Sequence, residues 1–384
     1  MEKTTSRIGL FKKHIDDFSA DLNAKAGRTK AEIRKMVGDK PLYKMSSNEN
    51  ALGPSPKAMK AIQEAIPTLH EYSQRIDIDF REKLADYHQN GLTADHFFTG
   101  NAGLDIIEMI VRAFMDPGHE AIFTNPTFHV YELFASLSGG KVVNVPLLAD
   151  SFDLDVEGIL EATNQHTRLI FLGNPNNPVG KIIPKAQLEY LLKHLPEGVI
   201  VVHDEVYHHF AHADDYPNAA DYVHQGYPII AVNSFSKAFG LAGLRVGYAY
   251  TNNDFAHYLR KLRRPFHINA LSTVGAIAAL DDVEHVQAIQ EVVRVGRALI
   301  YQGLERHQIK YWDSHTNFIL FKSPLSLKGD RIPVDDFIAY MLGEGIMVRS
   351  GDNNGAPGCI RLTIGKADAN QAFLKALDKL MQNQ

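Results

Sequence analysis

The sequence predicts an α/β fold with a large domain, in which helices flank a mostly parallel sheet, and a smaller α+β domain. Three short runs, Arg168–Leu172, Val199–His203 and Pro228–Val232, are almost continuously apolar and rich in β-branched residues. Such runs are typical of strands that are buried on both faces of a parallel sheet. Helical patterns alternate with these runs, and the alternation favours parallel strands joined by helices.

The N-terminal segment, residues 1–45, is polar and charged, and one amphipathic helix is predicted within it over Leu10–Met36. Because that helix is too polar to stand alone, we expect residues 1–45 to form an arm that lies on another surface, such as a partner subunit. From about residue 55 onward, helices alternate with the apolar runs. The helices predicted there are Ser55–Ile66, Ile78–Gln89, Leu104–Met115 and Lys185–Leu195.

The pattern changes after about residue 270. A long helical region, Ser272–His307, begins this part of the chain. Further predicted strands and helices follow at Thr316–Lys322, Val334–Gly343, Ile346–Arg349, Ile360–Ile364 and Ala367–Gln382. This order is typical of an α+β domain. We therefore predict a large domain over residues 46–270 and a small C-terminal domain over residues 271–384, which the N-terminal segment joins.

Composition narrows the class of protein. The 384 residues carry 40 Lys and Arg against 45 Asp and Glu, a net charge of −5, and lack the basic run of a nucleic-acid-binding protein. The single cysteine, Cys359, excludes an internal disulfide and a cysteine-built zinc site. We expect no metal site, because the trio His208, His209 and His212 is better explained as polar surface or as the edge of a helix. No apolar stretch reaches the roughly 18 residues of a membrane span, and no signal-peptide pattern is present, so we expect a soluble cytoplasmic protein.

Polar residues follow each of the three apolar runs. Asn177 follows the first run, Asp204 and Tyr207 follow the second, and Lys237 follows the third. The intervals of 27 residues from Asn177 to Asp204 and 33 residues from Asp204 to Lys237 each match one strand–helix–strand unit of roughly 30 residues. In open α/β sheets, ligands bind beyond the carboxyl ends of the strands. We therefore expect these side chains to converge on one pocket.

These residue types match the chemistry of pyridoxal phosphate (PLP). A lysine forms a Schiff base with the aldehyde of this cofactor, and an aspartate keeps its pyridine nitrogen protonated, so that the ring can absorb the electrons of a substrate carbanion. An asparagine and a tyrosine can hydrogen-bond the ring oxygen. The cofactor phosphate needs a helix N-terminus, hydroxyls and a cation. The sequence offers such groups at Gly103, Leu104, Ser234, Ser236 and Arg245.

Three ordered motifs resemble those of the fold-type I aminotransferases. They are Asn174-Pro-Asn-Asn177-Pro-Val-Gly180, Asp204-Glu-Val-Tyr207 and the lysine segment Ser234-Phe-Ser-Lys237 with its extension to Tyr248. Within this superfamily the sequence is most similar to the histidinol-phosphate aminotransferases. The segments that carry this similarity are 47–56 (SNENALGPSP), 126–131 (PTFHVY), 264–269 (RPFHIN) and 360–365 (IRLTIG). Together the matching segments cover the chain from about residue 43 to residue 382.

The resemblance implies a role in cofactor binding for each matching residue. Lys237 would bond the cofactor and move the proton between the substrate Cα and the cofactor C4′. Asp204 would hold the ring nitrogen, and Asn177 and Tyr207 would hold the ring oxygen. The other contacts would be a stacked ring from Phe128 and phosphate binding by Ser234, Ser236, Arg245 and the amides of Gly103 and Leu104.

The resemblance also implies the residues that bind substrate. Arg361 would grip the carboxylate of the amino donor, a bidentate task that lysine performs poorly. Asn177 is counted with these substrate-binding residues. Arg349 is proposed on chemical grounds and not from the resemblance: it would supply the additional charge that a dianionic phosphate favours, although it could also be merely structural. Tyr72 resembles the tyrosine that reaches the cofactor of the neighbouring subunit, which implies a homodimer with shared active sites.

The activity implied by the resemblance is transamination between an amino donor and a 2-oxo acid, with glutamate as one partner and histidinol phosphate as the second substrate. Two alternatives use the same fold: an aromatic or general amino-acid aminotransferase, and a decarboxylase of a phosphorylated amino acid. A PLP-sensing regulator is discounted, because it would require a basic DNA-binding module and residues 1–45 are too short and too mixed in charge. The sequence does not decide the second substrate, since a few pocket side chains determine it.

Overall fold

The computed structural model describes residues 30–72, 77–326 and 328–382. A seven-stranded sheet forms the centre of the predicted large domain. The strands in these ranges are β1 (Tyr43–Lys44), β2 (Phe97–Gly100), β3 (Glu120–Asn125), β4 (Lys141–Pro146), β5 (Thr167–Gly173), β6 (Ile200–Asp204), β7 (Ile229–Ser234), β8 (Gly247–Tyr250), β9 (Phe318–Lys322), β10 (Ile346–Met347), β11 (Arg349–Ser350) and β12 (Cys359–Thr363).

The α-helices in the same ranges lie between and after these strands. They are α1 (Lys30–Val37), α2 (Pro56–Ala65), α3 (Ile78–His88), α4 (Ala102–Phe114), α5 (Val130–Leu137), α6 (Val156–Ala162), α7 (Lys185–His194), α8 (Ala219–His224), α9 (Asn253–Lys261), α10 (Ala270–Leu280), α11 (Val283–Arg306), α12 (Val334–Gly343) and α13 (Ala367–Gln382). None of the helices in the described ranges is long and apolar enough to cross a membrane.

The seven-stranded sheet has the order β2-β8-β7-β6-β5-β3-β4. Strand β8 is antiparallel to both of its neighbours, and the pairs from β7 to β4 are parallel. Gly173 pairs with Asp204, and Asp204 pairs with Val232, so the carboxyl ends of β5, β6 and β7 lie at one edge of the sheet. This topology confirms the predicted α/β fold with a mostly parallel sheet, and it aligns the segments after the three apolar runs.

The two faces of the sheet are buried under different helices. Val202 and Asp204 face one side, where Ile106 and Ile110 of α4 belong to the same apolar cluster as Val202. We call this side the cavity face. Val201 and its alternate neighbours face the other side, which we call the back face, and there the apolar cluster includes Leu188 of α7. Because successive side chains of a strand alternate in direction, His203 and Asp204 at the end of β6 point to opposite faces.

A second sheet is formed by the last part of the chain. Strands β11, β12 and β9 are antiparallel, with Arg349 opposite Arg361. Strand β1 pairs in parallel with β10, so the segment before the large sheet is hydrogen-bonded to the C-terminal part. Ile33 and Val37 of α1 pack against Leu342 of α12. The rest of the predicted helix Leu10–Met36, up to residue 29, lies outside the described residues.

The predicted helical region Ser272–His307 is wrong as a single unit, since α10 ends at Leu280 and α11 begins at Val283. The break has a long-range cause. Asp282 accepts hydrogen bonds from Ser55 Oγ at 2.6 Å and from the Lys57 amide at 3.2 Å, at the start of α2. Burial raises the pKa of the Asp282 carboxyl, but the hydrogen bonds from Ser55 Oγ and the Lys57 amide, together with nearby positive charge, lower it overall.

The predicted strand Ile346–Arg349 is divided at Val348. Its first half, β10, pairs with β1, and its second half, β11, pairs with β12. Two residues on each side of Val348 therefore belong to different sheets. The local apolar pattern cannot show this division, because it depends on the partners of the strand.

Candidate active site

A cavity of about 290 Å³ lies where the segments after β5, β6 and β7 meet the start of α4 and strand β12. Of the residues singled out in the sequence, those that line it are Gly103, Leu104, Phe128, Asn177, Asp204, Tyr207, Ser234, Ser236, Lys237, Arg245 and Arg361. Tyr72 and Arg349 are not among the lining residues. The structure therefore brings together the residues proposed to contact a cofactor and separates two of those proposed to contact substrate.

One end of the cavity carries groups that suit an anion. Gly103 and Leu104 lie in the first turn of α4, where backbone amides have no partner within the helix. Ser234 Oγ and Ser236 Oγ are 2.9 Å apart and buried. The exposed Arg245 side chain donates only to the Ala242 carbonyl, at 3.0 Å, among the hydrogen bonds of the described chain. A helix start, two hydroxyls and a guanidinium together form a binding site for a phosphate group.

The backbone around this end is tightly packed. Ala102, at the start of α4, has φ +66°, in the left-handed region that favours glycine. A Cβ on Gly247 of β8 would lie 2.7 Å from the Ala102 carbonyl carbon and 2.8 Å from the Gly103 nitrogen. Only glycine at 247 lets the start of α4 rest directly on β8. Arg245, two residues earlier, also has a left-handed backbone, with φ +54°.

Asp204 lies on the floor of the cavity at the end of β6. The hydroxyl of Tyr131 donates to its Oδ2 at 2.7 Å, and the Val206 amide donates to its Oδ1 at 3.1 Å. Burial raises the pKa of Asp204, whereas the hydrogen bond from Tyr131 acts in the opposite direction. The Tyr131 ring stacks on Phe171 with centroids 5.0 Å apart and meets the edge of Phe128 at 5.7 Å.

The loop after β5 is held by alternate asparagines. The side-chain amide of Asn174 binds the backbone of Ile183 twice: its Nδ2 donates to the Ile183 carbonyl, and its Oδ1 accepts from the Ile183 amide. Asn176 donates to the Pro126 carbonyl at 2.9 Å and accepts from Thr127 Oγ1 at 3.1 Å. With these two side chains anchored in the protein, Asn177 is left to line the cavity.

Lys237 lies beside Tyr207 within the cavity. Its Nζ is 3.3 Å from the Ser47 carbonyl and 5.6 Å from the centroid of the Tyr207 ring. The Tyr207 hydroxyl accepts from Asn48 Nδ2 at 3.0 Å, and the buried Asn48 in turn bonds Thr363 of β12. The hydroxyl of Tyr207 is thereby oriented by a residue from the segment that precedes the large sheet.

Arg361 of β12 is a buried cation, with 7% of its surface exposed. It donates to Asn177 Oδ1 at 2.6 Å and to the Ser46 carbonyl at 2.9 Å, and its Nε has no hydrogen-bond partner in the described chain. Its pKa is lowered to about 10, chiefly by burial; Tyr207 acts in the opposite direction, and the charge of Arg349 adds to the lowering. The two arginines face each other across the β11–β12 pair, so their side chains project to the same side of that sheet.

Tyr72 lies on the surface and not in the cavity. Its side chain is 75% exposed and stacks on Phe266, itself 56% exposed, with ring centroids 4.3 Å apart. Leu69 and Ile66, in the segment just before it, are also exposed.

Two residues of the site had no role assigned from the sequence. Tyr131 and Asn48 both occur within segments that resemble the family, PTFHVY and SNENALGPSP, but nothing local shows what they contact. Each acts on a residue far away in the chain, Tyr131 on Asp204 and Asn48 on Tyr207. The sequence did offer one signal for both residues: each is a polar side chain inside a motif, next to positions that already have a role.

The side chains and backbone groups that line the cavity fit PLP. A phosphate-binding end, a buried carboxylate, a lysine and the Phe128 ring all line the same space. The close contact of Gly247 with the start of α4 shapes the phosphate-binding end, since any side chain there would displace the helix amides. These groups are those that the phosphate, the pyridine nitrogen, the aldehyde and the ring face of PLP require.

Comparison with known proteins supports the same assignment. A model of the family described as "Aminotransferase class I and II" matches residues 40–377. The histidinol-phosphate aminotransferase of Moorella thermoacetica is 36% identical over 92% of this chain and 89% of its own length. Histidinol-phosphate aminotransferase 2 of Carboxydothermus hydrogenoformans is 35% identical over 93% of this chain and 96% of its own length.

Solved structures share the fold at lower identity. The crystal structure of histidinol-phosphate aminotransferase from Sinorhizobium meliloti in complex with pyridoxal-5′-phosphate has a TM-score of 0.85 and 24% identity, and covers 99% of both chains. A Thermus thermophilus aspartate aminotransferase double mutant has a TM-score of 0.80 and 22% identity, over 95% of this chain and 99% of that chain. At this level of identity both likenesses concern the fold.

Proposed function

The chain belongs to the class I and II aminotransferases and is a PLP-dependent transaminase, and we propose that it transfers an amino group between histidinol phosphate and 2-oxoglutarate. The observation that carries the proposal is the pair Arg361 and Arg349. Arg361 is a buried guanidinium at the cavity with an unpartnered Nε. Arg349 does not itself line the cavity, but it lies opposite Arg361 in the next strand and projects to the same side of that sheet. Relatives that are 31–36% identical over most of the chain bear the name histidinol-phosphate aminotransferase.

When bound, PLP supplies a protonated pyridine ring that takes up the electron pair left at the substrate Cα. The residues of this chain act around that ring. Asp204 holds the proton at the ring nitrogen, and Tyr131 holds Asp204. Asn177 and Tyr207 orient the ring oxygen. Ser234, Ser236, Arg245 and the amides of Gly103 and Leu104 bind the phosphate, and Phe128 covers the ring face.

Lys237 is the group that bonds the cofactor and moves the proton. Its Nζ has a carbonyl oxygen, Ser47 O, as its hydrogen-bond partner in the described chain. It would move the proton between the substrate Cα and the cofactor C4′. A primary amine on a flexible stem suits both tasks.

The two arginines bind the anionic ends of the two substrates in turn. Glutamate brings a carboxylate that Arg361 can hold through two parallel hydrogen bonds. Histidinol phosphate has no carboxylate, so the same pocket has to receive a phosphate dianion. Arg349 supplies the second positive charge for that dianion.

Half-reaction kinetics with histidinol phosphate, glutamate and phenylalanine test this substrate assignment. We expect Arg361→Ala to weaken all three half-reactions, and Arg349→Ala to slow histidinol phosphate by roughly ten- to a hundredfold with little effect on phenylalanine, the size expected for a charged hydrogen bond. Arg306→Ala, an exposed arginine paired with Asp378, serves as the matched control and leaves all three unchanged.

The same assay separates the alternatives. A wild-type preference for phenylalanine over histidinol phosphate would contradict the proposal and favour an aromatic aminotransferase. Release of carbon dioxide from a phosphorylated amino acid, without formation of a new amino acid, would favour the decarboxylase. Equal effects of Arg349→Ala on phenylalanine and histidinol phosphate would remove Arg349 from phosphate binding.

We also propose that the enzyme is a cytoplasmic homodimer in which Tyr72 reaches the partner's cofactor. The support is the exposed stack of Tyr72 on Phe266 beside the exposed Leu69. The proposal predicts complementation between two inactive variants. Mixed subunits of Tyr72→Ala and Lys237→Ala should regain activity, because one site of each hybrid combines Lys237 of one subunit with Tyr72 of the other. If Tyr72 acted within its own subunit, no hybrid site would be complete and activity would stay lost.

A further inference from the structure

A buried polar cluster lies on the back face of the large sheet, behind the cavity. Its members come from four adjacent strands or from the residue that directly follows a strand, and each is less than 5% exposed. They are Asn174, His203, Glu205, Asn233 and Tyr250, which we call the back-face cluster. None of them lines the cavity. The cluster occurs at the strand ends that carry Asn177 and Asp204, where apolar residues would suffice for packing alone.

The backbone of Ile183 determines how the Asn174 amide is oriented. The Ile183 amide donates to Asn174 Oδ1 at 2.9 Å, and Asn174 Nδ2 donates to the Ile183 carbonyl at 3.2 Å. If the Asn174 amide were rotated by 180°, its NH₂ group would face the Ile183 amide and its oxygen would face the Ile183 carbonyl, and neither pair can form a hydrogen bond. The Asn174 NH₂ group therefore also faces His203 Nε2, 3.0 Å away. Since an NH₂ group can only donate, Nε2 of His203 must be the unprotonated acceptor.

The other ring nitrogen of His203 faces a carboxylate. Nδ1 lies 3.1 Å from Glu205 Oε1. With Nε2 unprotonated, the ring proton is on Nδ1 and is donated to Glu205. Tyr250 and Asn233 donate to Oε2 of the same carboxylate at 2.8 and 3.2 Å. Burial would raise the pKa of Glu205, but the hydrogen bonds from His203 and Tyr250 act in the opposite direction and favour its ionised form.

The cluster is tied to the cavity through the backbone. Asp204 lies between His203 and Glu205 in the chain and faces the opposite side of the sheet. Asn174 is three residues before Asn177, and its own amide bonds the Asp204 carbonyl at 2.8 Å. A shift of His203 would therefore move two cavity residues that hold the same ring from different strands.

We propose that His203 is a positioning residue which, as a neutral imidazole with its proton on Nδ1, joins Asn174 to Glu205 and so keeps Asn177 and Asp204 in register. The inference rests on the proposed placement of PLP beside Asn177 and Asp204, and it does not depend on the second substrate. His203 does not line the cavity, so it acts only through its two neighbours.

The first test observes the ring directly. Holoenzyme labelled with ¹⁵N-histidine is compared with its His203→Gln variant to identify the His203 signals. We expect one protonated nitrogen, Nδ1, and one unprotonated nitrogen, Nε2, at neutral pH. Two protonated nitrogens, or a proton on Nε2 alone, would overturn the proposal whatever the variants do.

The second test compares two substitutions of His203 by the dissociation constant of PLP and by the visible absorbance of the bound cofactor. His203→Gln keeps one donor and one acceptor, so PLP affinity should stay within about threefold of wild type. His203→Leu keeps neither, so affinity should fall about tenfold or more, as expected when a buried carboxylate loses a donor. If Gln weakened PLP binding as much as Leu, or if Leu left it unchanged, His203 would not be a positioning residue.

A matched control separates positioning from loss of stability. Thr251 is buried near the other end of the sheet and donates to the Ile229 carbonyl at 2.7 Å. Thr251→Val removes a buried hydrogen bond there, so it should lower the melting temperature without changing PLP affinity. If Thr251→Val weakened PLP binding as much as His203→Leu, general destabilisation would explain both results. None of these measurements uses histidinol phosphate, so a failure of the substrate proposal would be recognised separately in the kinetic assay.

Discussion

The hydroxyl of Tyr131 donates a hydrogen bond of 2.7 Å to Asp204 Oδ2, and the two residues lie on different elements, helix α5 and strand β6. Because Asp204 is buried, its ionised form depends on such donors. The pair thus links the charge of the carboxylate to a helix that packs over the cavity face. Removing the hydroxyl is the smallest change that tests this dependence.

Tyr131→Phe should retain PLP but turn over more slowly. Burial already raises the pKa of Asp204, and without the donor it should rise further, so less of the carboxylate would be available to hold the proton at the ring nitrogen. We expect kcat to fall roughly tenfold, the equivalent of about 1.4 kcal/mol. The control Tyr311→Phe removes a hydroxyl that donates to Glu305 at 2.6 Å on the surface, and it should leave kcat unchanged. Equal kcat values in the two variants would contradict the role of Tyr131.

Lys237→Ala should abolish turnover and the visible absorbance of the lysine-bound cofactor. The amine is the group that bonds PLP and transfers the proton, and we expect a loss of at least about a thousandfold. Steady-state kinetics and absorbance spectra of the purified variant measure both effects. Lys261→Ala is the control, since Lys261 Nζ also lies over a tyrosine ring, Tyr258, at 4.3 Å, but on the surface. A pH-dependent visible band that persisted in Lys237→Ala would show that another amine bonds the cofactor.

Asp77→Ala should destabilise the protein strongly. The buried carboxylate accepts from Arg81 at 3.3 Å, from Thr99 Oγ1 at 2.6 Å and from Arg263, which belong to three separate segments. Removing one member of a buried ion cluster leaves charge without a partner and typically costs about 3–5 kcal/mol. Urea unfolding of the holoenzyme measures the change.

The matched control for Asp77 is an exposed pair. Glu64 lies 4.0 Å from Lys60 on helix α2, and both side chains are largely exposed. Glu64→Ala should change stability by less than about 1 kcal/mol. If the two substitutions had similar effects, Asp77 would not hold these segments together.

His88 should make stability depend on pH. Burial, together with the charge of His208, lowers the pKa of His88 from 6.5 to about 4, against the opposing effect of Glu205. Since the folded-state pKa lies below the unfolded value, the unfolded chain binds more protons between pH 6.5 and pH 4. Stability therefore falls as the pH falls through this window, by about 2 kcal/mol between pH 7 and pH 5 from this residue alone.

Urea unfolding at the two pH values tests the contribution of His88. His88→Gln should reduce the difference between them by that amount, whereas substitution of the exposed His257 by Gln should not. An unchanged pH dependence in His88→Gln would assign the effect to other groups.

The sequence predicts the centre of this site well, because the relevant signals are local. Asn177, Asp204 and Lys237 each follow an apolar run, and parallel strands place their carboxyl ends together. Helix signals are also local in the sequence, and the helices Val334–Gly343 and Ala367–Gln382 begin and end as predicted. Alternation along β6 also explains why Asp204 lines the cavity and its neighbour Glu205 does not.

What the sequence could not show depends on partners that are distant in the chain. The interruption at Asp282 exists because its carboxylate caps a helix that begins at Pro56. The division of β10 from β11 at Val348 exists because two different strands pair with them. The orientation of Tyr207 by Asn48 and of Asp204 by Tyr131 likewise requires the folded arrangement of segments that have no pattern in common.

The left-handed backbone at Ala102 and Arg245 has a consequence for laboratory evolution of this enzyme. A non-glycine residue in this region is strained by about 1 kcal/mol, so glycine would relieve the strain at either position. If both codons were randomised and the survivors were selected for heat tolerance alone, glycine should become enriched at both. Adding a requirement for growth that depends on the enzyme should separate them. Glycine would remain at 102, where the wild-type side chain is one methyl group, and arginine would return at 245, where the guanidinium lines the phosphate-binding end of the cavity.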